Sequence, residues 1–462
     1  MKKVALNRFC ESCRTVKKLE NLPANFEISG ISIDTRTLHE GDLYIAIRGE
    51  RFDGHDFARE ALDKGASAVV AAAEKKLKGV KKSAGIIRVS DSVRFLMEFS
   101  GWYRAQFSIP VIAITGSTGK TTTKEMLASI LGLVFRVIKT QKNMNNFIGV
   151  PLTLLQISDT TDVAVVEVGT NHPGEIATLT DIVLPTHAVI TNIGSGHIGF
   201  FGSKEAIYAE KTTLFERMKF GTRIYINAED ILLEKYSNDD LSIKSCGLRK
   251  GLDYEGELLR MDERGRARFR INHGPEIQLQ IPGRHQLLNA LLAGSIALDM
   301  GISPSNVKLG LESVLPQDKR MVVEDYHDIL LINDAYNSNP ESLRAAIDYL
   351  CELPRPEGTR KYMILGDMLE LGEKSEDEHR QIGHYLKDKP VDAVLCLGQY
   401  SRFIYEVIRD DSSAKSVAYF FERHEEAGKK LSELLQKGDI LLLKGSRGMA
   451  VEKVLPYLET RG

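Results

Sequence analysis

Cysteine is scarce in this 462-residue chain, with five in all. That number is too small for a disulfide scaffold. Cys10 and Cys13 form a Cys-x-x-Cys pair, which can be half of a zinc site, but Cys246, Cys351 and Cys396 stand alone and supply no second pair. All five are read as free thiols. An excess of charge of either sign is lacking too. The 61 basic and 63 acidic side chains leave a net charge of -2, which gives no footprint for nucleic acid or an anionic membrane and favours small metabolites as partners. No apolar run approaches a membrane-spanning length, and the charges between Met1 and Arg8 have no apolar segment behind them. The expectation is a cytoplasmic protein with no membrane and no nucleic-acid partner. Short-period repeats and low-complexity stretches are also missing.

What is present is ordinary globular composition, 43% hydrophobic and 27% charged, in a chain long enough for two to four domains. Its most informative stretch is Val111-Ile112-Ala113-Ile114-Thr115-Gly116-Ser117-Thr118-Gly119-Lys120-Thr121-Thr122. A short apolar strand runs into a glycine turn, and Met126, Leu127, Ile130 and Leu131 then recur at helical spacing. Glycines at 116 and 119 let backbone N–H groups turn toward an anion, the helix N-terminus adds its dipole, and Lys120 reaches the terminal phosphates. Thr121 is placed to offer a hydroxyl to Mg²⁺. The general P-loop has a glycine where this chain has Ile114, so the motif is the shorter Gly-x-x-Gly-Lys-Thr-Thr. A plain glycine turn capping a helix is the alternative. As a loop residue, Lys120 is expected to be exposed.

Three α/β blocks follow from the pattern. Residues 1–107 read as a small α/β unit, with a strand at Leu43–Ile47, a turn-rich Asp53-Gly54-His55-Asp56, a helix from Phe57 to Lys64 and a buried strand at Ala68–Val70. Residues 108–316 read as a P-loop parallel-sheet domain, whose runs Val163–Val168 and Ala188–Ile193 look like buried strands ending in polar residues. Ligands in open parallel sheets sit beyond the carboxyl ends of the strands, so functional side chains belong there. Glu167 and His197 are both at such ends and could ligate a metal. Residues 250–281 alternate and are charged, as in a solvated antiparallel excursion, before a helix from about Gln286 to Met300. Residues 317–462 read as a Rossmann-like α/β domain, with Asn339 and Pro340 suited to opening a helix.

Taken together, these marks identify the chain as similar to the Mur ligase family, the ATP-dependent amide-forming enzymes of peptidoglycan precursor synthesis, over essentially its whole length. Ile114–Thr122 resembles the family's ATP loop, and Asn143-Met144-Asn145-Asn146 its Asn-x-Asn-Asn segment. Gly366-Asp367-Met368-Leu369-Glu370-Leu371-Gly372 with His379, and Lys444-Gly445-Ser446-Arg447-Gly448-Met449, resemble the branch that joins D-alanyl-D-alanine to UDP-N-acetylmuramoyl-tripeptide through an acyl phosphate. The resemblance implies ATP and Mg²⁺ as cofactors and those two molecules as substrates, in a monomer.

It also implies roles for residues. Gly116, Ser117, Thr118, Gly119, Lys120, Thr121 and Thr122 would hold ATP phosphates, and Thr121, Glu167 and His197 the metal. Lys211 matches the family lysine that carries a CO₂-derived carbamate. An ammonium about 4 Å from a divalent ion would be repelled by roughly 8 kcal/mol at an effective dielectric near 20, and a carbamate turns that repulsion into ligation. His285 and Asn289 would contact the nucleotide, with Gln286 where the family pattern has Asn; Arg320 and Asp334 would reach it from the third block. Thr35, Arg36, Asp53, Gly54, His55 and Asp56 would form the uridine-diphosphate pocket. Asn145, Asn146, Tyr336, Asn337 and Asn339 would be further substrate contacts. A second departure is Gly199, where the branch commonly has glutamate. Another Mur-type or folylpolyglutamate-type ligase shares the loop but gives no reason for the 366–372 and 444–449 segments. A P-loop switch without synthetic chemistry explains neither Lys211 nor a separate uridine-nucleotide unit.

Overall fold

Runs of Val, Ile and Leu that are buried on both faces form the centres of the sheets, because helices cover both sides of a parallel sheet. In the computed structural model residues 1–317 and 319–458 are described, and these form three large sheets and one two-stranded ribbon. The first sheet has five strands, in the order Val16–Glu20, Ile86–Val89, Ala68–Ala72, Asp42–Ile45, Gly30–Ser32, all parallel except the first. The helix that follows it, Ser92–Arg104, packs on helices Gly149–Leu154 and Glu175–Val183 of the central unit. The two units therefore share apolar core.

The second sheet has nine strands. Val111–Thr115 lies between Val163–Glu167 and His187–Ile190, parallel to both, with Glu167 level with Ile114 and Ile190 level with Thr115. The chain leaves Val111–Thr115 in one direction, to edge strand Val137–Lys139, and later returns on its other side. That is a topological switch point, and the ends of all three strands open onto one crevice. Strands Tyr254–Met261, Arg266–Ile271 and Ile277–Pro282 extend this sheet, the last two antiparallel. The expectation of a solvated excursion fails there. Phe269, Ile271, Ile277, Leu279 and Ile281 are buried, because the period-2 alternation puts one face of the ribbon against helix His285–Asp299.

The third sheet orders its six strands Val322–Tyr326, Ile329–Asp334, Ile440–Lys444, Lys361–Gly366, Ala393–Leu397, Val417–Phe421, parallel except for the first. Helix Pro340–Glu352 starts as expected, with Asn339 Oδ1 accepting the Ser342 N–H at 2.9 Å and Ser342 Oγ accepting the Asn339 N–H at 3.0 Å. This unit docks on the central one. Tyr349 donates its hydroxyl to the Arg264 carbonyl at 2.8 Å, and Glu341 bonds Ser195 and Lys204, each at 3.0 Å. Among the described residues no helix is long and apolar enough to cross a membrane, and all five cysteines are free thiols.

Candidate active site

The glycine loop is stitched to the end of the neighbouring strand. Ser117 N–H donates to the Asn192 carbonyl at 3.0 Å, Thr118 N–H to Asn192 Oδ1 at 3.0 Å, and Gly194 N–H to Ser117 Oγ at 2.8 Å. Gly116 and Gly119 have φ of +146° and +80°, and a Cβ on them would lie 1.9 Å from Thr191 Oγ1 and 2.3 Å from Asn289 Oδ1. Only glycine fits either place. Lys120 opens helix Lys120–Leu131 and is partly buried, which corrects the expectation of an exposed loop residue. Its ammonium donates to the Gly116 carbonyl at 2.7 Å, and burial holds its pKa below the ordinary lysine value against the opposing pull of Glu167.

Glu167 ends its strand almost wholly buried. Its Oε1 accepts from Thr121 Oγ1 at 3.2 Å and from Asn145 Nδ2 at 2.8 Å, while Oε2 is buried with no hydrogen-bond partner among the described residues. Lys124, with no side-chain exposure, lies 3.6 Å from that oxygen and 3.2 Å from Glu125. An orphaned carboxylate oxygen beside a threonine hydroxyl fits a divalent cation that fills its other positions with phosphate and water, as Mg²⁺ does. Among the described residues no group of three or more His, Cys, Asp and Glu side chains could hold a metal, so these protein donors do not close a site alone. Lys211, on helix Lys204–Glu216, is 2% exposed and forms no ion pair among the described residues. Burial, aided by the nearby Lys120 charge, pushes its pKa down to about 7.

His197 sits in the left-handed region at φ +66°, 2.9 Å from Glu370 of the third unit through Nδ1. Glu370 arrives there because His379 and Ser446 hold the Met368–Leu369 backbone, each accepting an N–H at 3.0 and 2.8 Å. Gly199 gives the approach its room. A Cβ at 199 would come within 2.5 Å of Gly372 N, and the Gly199 N–H donates to the Glu370 carbonyl at 3.2 Å. A glutamate at 199 has no space in this docked arrangement, and Glu370 supplies a carboxylate beside His197 from the opposite side.

The third unit contributes more. Arg320 stacks on the Tyr336 ring at 3.8 Å and is near enough to Lys120 to lower its pKa. Asp334 Oδ1 accepts the Met321 N–H at 3.0 Å and its Oδ2 pairs with buried Lys444 at 2.6 Å; Lys444 also donates to the Asn337 carbonyl at 2.7 Å. Near Asp334 and Lys444, His285 has its pKa pushed down to about 4 by burial. It meets Gln286 at 2.9 Å, and Gln286 Oε1 accepts from Asn289 Nδ2 at 2.9 Å. The longer amide of Gln286 thus links His285 to the Asn289 that packs on Gly119. Beside the loop a cavity of 260 Å³ is lined by Thr121, Thr122, Ile281, Leu315 and Arg320, among others, and a wider one of 640 Å³ adjoins it past Glu125 and Lys139.

Other sequence candidates have internal duties. Asn146 Oδ1 accepts the Ile148 and Gly149 N–H groups and caps a helix. In the first unit Ala72 N–H donates to His55 Nε2 at 3.0 Å, so Nδ1 carries the proton and donates to Asp53 at 2.5 Å; Lys75 pairs with the other Asp53 oxygen at 2.7 Å. Thr35 donates to Glu60 at 2.8 Å, and Gly54 is packed against Ile47 where a Cβ would lie 2.7 Å from backbone. Arg36 and Asp56 are exposed, Arg36 pairing with Asp34 at 2.5 Å. Sequence reasoning missed Lys124, Glu370 and Lys444 as site residues. Lys124 had a signal, a charge in the apolar stripe with Leu127 and Leu131, and so did Lys444, a charge ending a buried strand as Glu167 does. Glu370 lies in the 366–372 segment that the resemblance singles out, but its place beside His197 had no sequence signal, since docking alone brings the two together.

The fold and its glycine loop are those of a nucleotide-handling α/β protein. Family models match in three places: the Mur ligase family catalytic domain over residues 27–99, the Mur ligase middle domain over 114–297, and the Mur ligase glutamate ligase domain over 319–447. The UDP-N-acetylmuramoyl-tripeptide--D-alanyl-D-alanine ligase of Bacillus subtilis is 35% identical over 435 residues, covering 93% of both chains. Its Escherichia coli namesake is 33% identical over 454 residues, covering 95% of both. Among solved structures, MurF from Acinetobacter baumannii superposes with a TM-score of 0.88 at 29% identity over 99% of each chain. MurF from Thermotoga maritima in complex with ADP gives 0.79 at 29% identity over 93% of this chain and 96% of that one. The chain belongs to the Mur ligase family.

Proposed function

We propose that the chain uses ATP to join D-alanyl-D-alanine to the terminal carboxylate of UDP-N-acetylmuramoyl-tripeptide, as a cytoplasmic monomer. The observation that carries this reading is the buried Glu167 hydrogen-bonded to Thr121 of the glycine loop, with Lys120 near enough to buried Lys211 to act on its charge, in a chain whose full-length relatives bear that reaction's name. Residues 1–107 hold the UDP portion, 108–316 the ATP, and 317–462 the incoming dipeptide.

Making an amide in water requires a better electrophile than a carboxylate. In-line attack of the tripeptide carboxylate on the γ-phosphate of ATP breaks its bond to the β-phosphate and gives an acyl phosphate and ADP; the free amine of the dipeptide then adds to the acyl carbon, loses a proton and displaces phosphate, leaving the amide. This chain's residues position and neutralise rather than attack. Backbone N–H groups of Gly119, Lys120 and Thr121 at the helix start and the Lys120 ammonium bind the transferring phosphoryl group and spread its charge. Arg320 approaches the same phosphates from the third unit, while Asp334, held by Lys444, and His285 and Asn289 meet the nucleotide. Glu167, Thr121 and His197 would hold Mg²⁺, which supplies charge neutralisation at the phosphates. Lys211 would take CO₂ on its amine, releasing a proton and leaving an anionic carbamate. A pKa near 7 supports this, because the free amine that adds CO₂ is then present at neutral pH. Docking of the third unit excludes water from the labile acyl phosphate.

The test is phosphate release with a panel of amines. Release is expected only when the UDP-linked tripeptide and an amine are both present, with D-alanyl-D-alanine strongly preferred over single amino acids. Preference for one free amino acid would move the chain to another Mur-type or folylpolyglutamate-type activity.

A further inference from the structure

Two guanidinium groups flank one aromatic ring at the carboxyl edge of the third sheet. Arg320 lies 3.8 Å and Arg447 5.4 Å from the centroid of Tyr336. Neither side chain has a hydrogen bond or ion pair among the described residues, whereas Lys444 of the same edge pairs with Asp334 at 2.6 Å and, from the central unit, Lys204 pairs with Glu341 at 3.0 Å and Lys120 donates to the Gly116 carbonyl at 2.7 Å. Arg320 faces the phosphate loop closely enough to act on the Lys120 charge, which suits it to phosphate. Arg447 is the charge left over. It is exposed, and the residue before it is fixed: Ser446 Oγ accepts the Leu369 N–H at 2.8 Å and donates to the Ser338 carbonyl at 3.3 Å. Ser338 is itself 3% exposed, with a hydroxyl that has no partner among the described residues. Polar capacity at this spot is therefore unsatisfied in two side chains.

We propose that Arg447 recognises the C-terminal carboxylate of the incoming dipeptide and so sets the acceptor specificity, an inference that rests on the function proposed above. The dipeptide carries two charged groups, and its amine is consumed in the reaction. Its carboxylate is the one charge left to read, since two methyl groups give a site little to discriminate by. A planar guanidinium braced on an aromatic face offers paired N–H donors to a carboxylate with little orientational freedom to lose. Binding the far end of the dipeptide in this way orients the amine toward the acyl carbon without touching the reacting atoms.

The experiment compares D-alanyl-D-alanine with D-alanyl-D-alaninamide, of the same shape but neutral at its C-terminus. Wild-type enzyme should prefer the acid by about 10- to 100-fold in kcat/KM, the range for a charge-assisted contact. In Arg447→Ala the preference should shrink to within about threefold, with KM for ATP and for the UDP-linked tripeptide unchanged, and Arg447→Lys should restore part of it. Unchanged KM values also show that the variant is folded. Retention of the wild-type preference by Arg447→Ala, or a wild type indifferent to the amide, would overturn the assignment. A wild type that ligates neither compound while using another amine would instead overturn the parent reading.

Discussion

The carboxyl edges of the central and third sheets are built alike and charged differently. In the third sheet Asp334 and Lys444 end adjacent strands and neutralise each other at 2.6 Å, and Asp367 accepts the N–H groups of Gln399, Tyr400 and Ser401. In the central sheet, among the described residues, Glu167 keeps a buried oxygen without a hydrogen bond and with only the Lys124 ammonium 3.6 Å away, Lys211 is buried without an ion pair, and Lys120 folds back on loop carbonyls. Buried charge in the first case is matched within the protein. In the second, Glu167 is partnered by Lys124 at 3.6 Å while the Lys120 and Lys211 amines have no carboxylate partner among the described residues, an excess of cation that gains most from added phosphate and carbamate. Matched charge holds its own edge in place, as Lys444 holds Asp334, and unmatched charge marks where a ligand completes the site. The Asp53, His55 and Lys75 network of the first unit belongs with the matched kind.

The largest expected effect breaks the unmatched edge. Lys120→Ala should lower turnover by on the order of 10³-fold, as loss of a positioned charge at a transferring phosphoryl group does, with thermal unfolding shifted little. Near wild-type turnover in a folded variant would remove Lys120 from the chemistry. At the matched edge the expectation reverses. Lys444→Met leaves the Asp334 carboxylate buried and uncompensated, so unfolding free energy should drop by about 3–5 kcal/mol, read in a denaturant melt. A Lys444→Met variant as stable as wild type would show that the pair does not hold this edge together. The smallest effect is at the exposed rim, where Arg36→Ala should raise KM for the UDP-linked substrate by about 3- to 10-fold, the size of one exposed charge contact, and leave KM for ATP alone. Equal changes in both would give the first unit another role.

The strands and helices of the site were legible in the sequence because their signals are local. The Val111–Thr115 strand, the glycine turn and the helix after it follow from periodicity and glycine geometry, and Asn339-Pro340 announces its helix start. The 254–282 ribbon was misjudged because its arginines and glutamates mask an alternation that buries Phe269 and Leu279. Which charges remain unmatched was not legible, since it depends on groups far apart in sequence. Lys124 reaches Glu167 across strand pairing, and Glu370 reaches His197 only through docking of the third unit on Gly199. The same holds for Asp53 and His55, whose partners Lys75 and Ala72 come from another strand and its exit.

The central claim, that the central edge is completed by groups from outside the polypeptide, is tested most directly at Lys211. Lys211→Ala removes a buried amine that the account converts to an anionic ligand. Activity of the variant should fall by on the order of 10²-fold or more, and then rise in a saturable way with added acetate or propionate, while an alkylamine in CO₂-free buffer does little. A fully active Lys211→Ala enzyme, or one rescued by the amine without CO₂ and not by the carboxylate, would contradict the account.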